Sequence, residues 1–310
     1  MRAVILERNK IVGRRIARLW TAAGFDVAVV EDPAALTGSL GDAHLLGADA
    51  FDGDLVLSAL AALPSLHAVL WTAEPLERVL RFAVGEPRLS SVLGRPGFES
   101  TPRDLELTMV ARRRLRPAEP GAPFAAYLAW GAGGLEFSVR GSADRERVVA
   151  HAQAFTAGIG APKRVAEMMG ELAHELLMNA LYDAPVDAAG RPRFAHDRRA
   201  DVALAPGEEA IFRLASDGAR LVLQVVDPFG RLQRQHVFAG LARGLKGGQV
   251  DSSHGGAGLG MLVVHNATVI TVYDVTPGRR TEVTGVFDLD LNLREFRTAA
   301  KSLHFFSVGQ

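Results

Sequence analysis

Asp227 closes the apolar run Leu221-Val222-Leu223-Gln224-Val225-Val226 and stands before Pro228, Phe229 and Gly230. A carboxylate at the mouth of an apolar strand can accept a hydrogen bond from an exocyclic amino group such as N6 of adenine, inside a dry pocket. An Asp before Pro and Gly is also ordinary turn chemistry. The string Gly255-Gly256-Ala257-Gly258-Leu259-Gly260 runs straight into the apolar Met261-Leu262-Val263-Val264. Glycines there let backbone approach a ligand, and N–H groups at the start of the following helix favour phosphate. A dinucleotide fingerprint would need a strand directly before the glycines; Arg231 to His254 intervenes instead, which argues against that fold. Upstream, Glu171, Glu175, Asn179 and Asp183 recur every four residues and share one stripe of a helix. Like charges at that spacing repel, so a solvated face is the plain structural reading. Asn179 fits it least, because Leu177, Met178, Ala180 and Leu181 flank an amide that wants partners.

The elements that must position these groups follow from periodicity. The spacing predicts a helix from Pro162 to about Asp183, with a wide apolar face of Val165, Met168, Met169, Leu172, Ala173, Leu176 and Leu177. A strand at Leu135–Val139, a long helix after Ser142, further strands, the glycine turn with its helix and a closing hairpin complete an α+β sandwich. Before it, short apolar runs alternate with helical patterns. Strands are expected at 2–7, 25–30, 43–48, 67–72 and 91–93, with helices at 10–24, 55–63, 75–84 and 102–115. Five strands alternating with helices form a flavodoxin-like parallel sheet. Three prolines and a glycine between Arg116 and Pro123 mark a linker, which sets domains at 1–116 and 130–310 with 117–129 between them. The basic run Ala111–Arg116 reads as a helix end whose arginines face the last carbonyls and solvent.

Composition narrows the function. The 310 residues carry 35 Lys+Arg against 35 Asp+Glu, so no excess of positive charge serves a nucleic-acid backbone. The absence of cysteine excludes thiolate catalysis and cysteine-ligated metals. No apolar run reaches the ~18 residues of a membrane span, and the N-terminal segment is unlike a signal peptide. No nucleic acid, no membrane and a cytoplasmic location are therefore expected.

Taken in order, HELLMNALYDA, DPFG and GGAGLG resemble the N box and the two glycine boxes of the GHKL ATP-binding superfamily, over roughly residues 130–292. Phe229 departs from the pattern at a position that is usually glycine. The resemblance implies ATP and Mg²⁺ as ligands. It implies that Asn179 offers its side-chain oxygen to the metal and that Glu175 orients or deprotonates the attacking water or hydroxyl. Asp227 would read the adenine amino group with Thr281 in support, and Gly230 belongs to the first glycine box. Gly256, Gly258, Leu259 and Gly260 line the phosphate approach, Asp183 lies near the phosphates, and Lys246 stands in a lid over Arg231–Ser253. Glu175 draws the resemblance toward the anti-sigma-factor serine kinases. His174-Glu175-Leu176 looks like a histidine-kinase phosphoacceptor, but the N box needs the same helix and the following proline is missing. The first domain resembles a response-regulator receiver in plan. Thr72-Ala73 and Arg95-Pro96 stand where such domains carry Thr/Ser and Lys-Pro, whereas Glu7 is the single acid after the first strand, and the third offers Asp49 and Asp52 without a clear acceptor. A lone Glu with a misplaced Asp would hold Mg²⁺ poorly. The resemblances imply a signalling protein with a regulatory protein partner, which transfers phosphate to that partner or switches its binding through the lid. A homodimer through the receiver-like domain is a further expectation. The alternative is a docking protein whose nucleotide pocket is vestigial.

Overall fold

In the computed structural model, which describes residues 1–245 and 257–308, the chain divides into two units. One comprises Met1–Gly121 and Thr298–Gln310, the other Ala122–Arg297.

In the first unit, β1 (Arg2–Leu6) lies between β2 (Asp26–Val30) and β3 (Leu45–Asp49), and β4 (His67–Thr72) and β5 (Leu89–Gly94) continue the sheet beyond β3. All of these pairings are parallel, and the order β2-β1-β3-β4-β5 is the flavodoxin-like one. Strands covered on both faces must be apolar throughout, and Ala3 to Leu6 are fully buried. Helices α1 (Lys10–Ala23), α2 (Leu36–Leu40), α3 (Gly53–Ala62) and α4 (Leu76–Val84) make the four crossovers, and α5 (Asp104–Leu115) follows β5. Asn9 starts α1 by accepting hydrogen bonds from the N–H groups of Ile11 and Val12. The indole of buried Trp20 then donates to Leu107 O at 3.2 Å and fixes α1 to α5.

The predicted boundary changes here. Residues 298–310, expected in the second domain, join the first, because β11 (Ser302–Ser307) pairs antiparallel with β5. Ser302 Oγ accepts from Gly94 N at 2.8 Å, and fully buried His304 bridges Glu106 Oε1 at 2.9 Å and Ser91 Oγ at 3.1 Å. The basic run also differs from its expectation: Arg113 is buried and Arg114 half-buried.

In the second unit, β6 (Gly133–Val139), β7 (Ala210–Ser216), β8 (Arg220–Asp227), β10 (Arg280–Asp288) and β9 (Ile270–Thr276) form an antiparallel sheet in that order. Helices α6 (Ser142–Gly158) and α7 (Lys163–Met178) pack on one another and on the sheet. The ring of exposed His151 on α6 lies 5.2 Å from Phe137, as expected of an edge histidine. The apolar face of α7 is buried as its period predicts; Leu172, Leu176 and Leu177 are at most 3% exposed, and each such leucine is worth about 1.5–3 kcal/mol. Two helices, α8 (Arg234–Leu245) and α9 (Ala257–Asn266), follow β8, and α10 (Leu293–Thr298) follows β10. Helices against one antiparallel sheet make the α+β sandwich.

Candidate functional site

The helix predicted to reach Asp183 stops being α-helical at Met178. Asn179–Asp183 is a π turn, closed by Ala184 N donating to Asn179 O at 2.9 Å. Asn179 is a poor helix former and Pro185 has no N–H to continue the ladder, so the chain leaves the helix through a widened turn. Such turns are rare and cluster at functional sites. The polar stripe is not uniformly solvated. Glu171 is exposed and paired with Arg164 at 3.2 Å, whereas Glu175, Asn179 and Asp183 are half-buried. His174, exposed on the same helix, stands apart from them.

Burial pushes the Glu175 carboxyl above the usual range, against the pull of Arg198 and, more weakly, of the nearby Asn179 side chain. Asp183 is raised by burial as well and is ion-paired with Arg198. Gly260, in the first turns of α9, faces Glu175 directly. A Cβ there would collide with Glu175 Oε1 and stand 2.6 Å from its Cδ. Gly260→Ala therefore displaces the Glu175 carboxylate, and because the clash falls on the end of a flexible side chain, thermal unfolding should shift by less than about 1 kcal/mol. Tyr273 on β9 is buried, and burial raises its phenol with the charge of Glu175 adding to it; its hydroxyl donates to Met261 Sδ at 3.3 Å.

At the end of β8, Asp227 is 7% exposed and burial pushes its carboxyl up to about 6. Its Oδ1 accepts from Phe229 N at 2.9 Å and Gly230 N at 3.3 Å, so Oδ2 retains acceptor capacity. Thr281 stands opposite Asp227 in the β8–β10 register. Its buried Oγ1 lies near enough to lower that pKa slightly, yet reaches no well-formed hydrogen bond. Gly230 has φ +61, and a Cβ there would press on the backbone nitrogens of Arg279 and Arg280 at 2.7 Å, so only glycine closes this turn. The π turn packs against β8, which carries Asp227.

The structure thus joins Glu175, Asn179, Asp183 and Gly260 in one cluster, and Asp227, Gly230 and Thr281 in another on the strand beneath. Gly258 lies in the first turn of α9, and Leu259 beside it is 48% exposed. Lys246 and Gly256 lie outside the described residues. Arg198 and Tyr273 escaped the sequence reading. Arg198 sits in a run of charged residues between α7 and β7, and Tyr273 in an apolar strand, so neither carries a periodic signal.

The first unit has a charged cluster of its own. Arg95, 3% exposed, reaches Glu7 Oε2 at 3.1 Å and Asp49 Oδ2 at 2.5 Å, and Trp71 also donates to Glu7 Oε2 at 3.0 Å. Asp52, read as a possible acceptor, is bound by Arg8. The two acids of the receiver-like pattern are therefore held by a guanidinium, and Asp49 ends β3 where the sequence had offered no clear choice. A single ammonium cannot fork to both, so Arg95→Lys should cost about 1–3 kcal/mol in denaturant unfolding.

No protein-family model and no curated protein sequence matches the chain. Among solved structures, it is similar to the receiver domain of an HD domain-containing protein from Pseudomonas fluorescens Pf-5 at 19% identity and a TM-score of 0.33, covering 37% of this chain and 94% of that one. An atypical orphan response regulator gives 17% identity and a TM-score of 0.31 over 37% and 96%. The SiaB–SiaC complex from Pseudomonas aeruginosa gives 14% identity and a TM-score of 0.33 over 49% and 88%.

Proposed function

We propose that the second unit is an ATP- and Mg²⁺-binding module of a signalling protein, and that it transfers phosphate to a hydroxyl of a protein partner. The carrying observation is the desolvated pair at the end of β8: Asp227 with an acceptor oxygen to spare, and Thr281 Oγ1 buried without a well-formed hydrogen bond. An adenine edge offers both an amino donor and ring-nitrogen acceptors, which answers the two groups together. Among the described residues no group of three His, Asp or Glu could hold a metal. A cation here would accordingly depend on the nucleotide's own oxygens with Asn179 as the protein ligand, which suits Mg²⁺. The bound nucleotide and metal would supply the phosphoryl group and its charge neutralisation.

This chain's residues have the remaining tasks. Glu175, raised by burial, would accept the hydroxyl proton, Asn179 would hold its carboxylate in place, and Arg198 would keep Asp183 compensated. Gly260 leaves the room that Glu175 needs. The partner-binding alternative draws on Arg95, which neutralises the acids of the first unit, and on Phe229 beside Asp227.

Calorimetric titration of ATP with Mg²⁺ into the folded full chain should give saturable binding; an absence of heat at millimolar nucleotide would end the reading and leave a docking role.

A further inference from the structure

The arginine-rich end of α5 has a property that the nucleotide reading does not use. Basic residues in a last helical turn ordinarily hold the final carbonyls or stay in water. Arg112 and Arg116 do something similar on the surface, pairing with Glu119 at 2.8 and 3.0 Å. Arg113 and Arg114 instead turn to a cavity of about 60 Å³ within the first unit, which His67, Ser90 and Phe306 also line. Arg113 is 7% exposed, bonds to Glu119 O and lies with its guanidinium 5.3 Å from the Phe306 ring centroid.

Arg114 is the anomaly. Its Nε is buried with no hydrogen-bond partner, it makes no ion pair among the described residues, and burial lowers its pKa. The acids nearest in sequence are already engaged, Glu106 with His304 at 2.9 Å and Glu119 with Arg112 and Arg116, and Glu86, whose charge acts on His67, is held by Arg88 at 2.8 Å. His67, at the start of β4, is pushed down to about 4 by burial, with Arg114 and Arg88 adding to the effect, so its ring is neutral at pH 7 and can donate one hydrogen bond. Ser90 on β5 contributes a half-buried hydroxyl.

A half-buried guanidinium with an orphaned N–H is costly unless an anion answers it. The donors converge from three elements, β4, β5 and α5, rather than from one exposed face. One water needs about 10–15 Å³ of such space, so the cavity has room for several waters or for one small polyatomic ion.

We infer that this cavity is a binding site for a tetrahedral oxyanion of phosphate size, held by the Arg114 guanidinium with the His67 imidazole and the Ser90 hydroxyl as further donors. The site lies wholly in the first unit and does not depend on nucleotide binding by the second.

Inorganic phosphate titrated calorimetrically into the full chain at constant ionic strength tests it. The expected result is saturable binding that Arg114→Gln weakens at least tenfold, Ser90→Ala weakens less, and Arg112→Gln leaves unchanged, with ATP affinity the same in all three. An AMP arm separates the sources: competition with phosphate that is lost in Arg114→Gln marks a phosphate carried on a larger molecule, and phosphate binding without competition marks the free ion. No saturable binding, or equal affinity in Arg114→Gln and the unaltered chain, overturns the inference. Should Arg114→Gln fail to fold, full phosphate affinity in Ser90→Ala combined with unchanged His67 ring signals in NMR on phosphate addition overturns it equally.

Discussion

Glu175→Gln is expected to lower phosphate transfer or ATP turnover by about 10²–10⁴-fold, the range set by loss of a positioned general base. Nucleotide affinity should stay within a few-fold. The glutamine keeps the shape that Gly260 accommodates, so the fold and the pocket survive while the proton acceptor is lost. Burial raises the Glu175 carboxyl, which strengthens it as a base relative to a solvated glutamate. Single-turnover assays beside calorimetry separate the two effects. Activity unchanged in Glu175→Gln would remove Glu175 from the chemistry, and loss of binding together with activity would make it a structural residue.

Asp227→Asn should stabilise the protein and disable it together. Keeping a carboxyl of ordinary pKa 3.8 at about 6 means that its ionisation costs the folded state about 3 kcal/mol more than the unfolded chain. The native state holds that proton more tightly between pH 4 and 6, so its stability falls as pH rises through this window, and the full penalty is present at pH 7. An asparagine escapes the penalty. Its carbonyl oxygen still accepts from Phe229 N and Gly230 N, so the turn is kept. Thermal unfolding should therefore show the variant more stable at pH 7, with the difference closing toward pH 4. The amide, however, sets a donor against the adenine amino group, and ATP affinity should fall by roughly 10–100-fold, the cost of an unsatisfied buried polar group. Equal ATP affinity in the variant and the parent would show that Asp227 does not read the base.

Much of the fold was legible because it is written in periodicity. The strand at 67–72 and the ends of α1 and α5 lie within a residue or two of expectation, since alternation and glycine or proline punctuation determine them locally. The apolar face of α7 was equally plain. The return of Ser302–Ser307 to the first unit was not, because strand pairing over a long separation leaves no local mark. A run of arginines likewise reads as surface until the structure shows Arg113 buried and Arg114 facing a cavity. In the candidate site, types and spacing marked Glu175, Asn179 and Asp227. The π turn that rearranges Asn179–Asp183, the Arg198 pairing and the Tyr273 hydroxyl depend on packing between distant segments and could not be read from spacing.

The bond between Gly94 and Ser302 spans 208 residues. At the roughly 5–20 residues per second of ribosomal elongation, β5 waits on the order of 10–40 s after its own synthesis before β11 exists to cover its outer margin. The portion translated first is thus completed last, and a fragment ending after the linker would carry a raw sheet margin open to strands from other nascent chains.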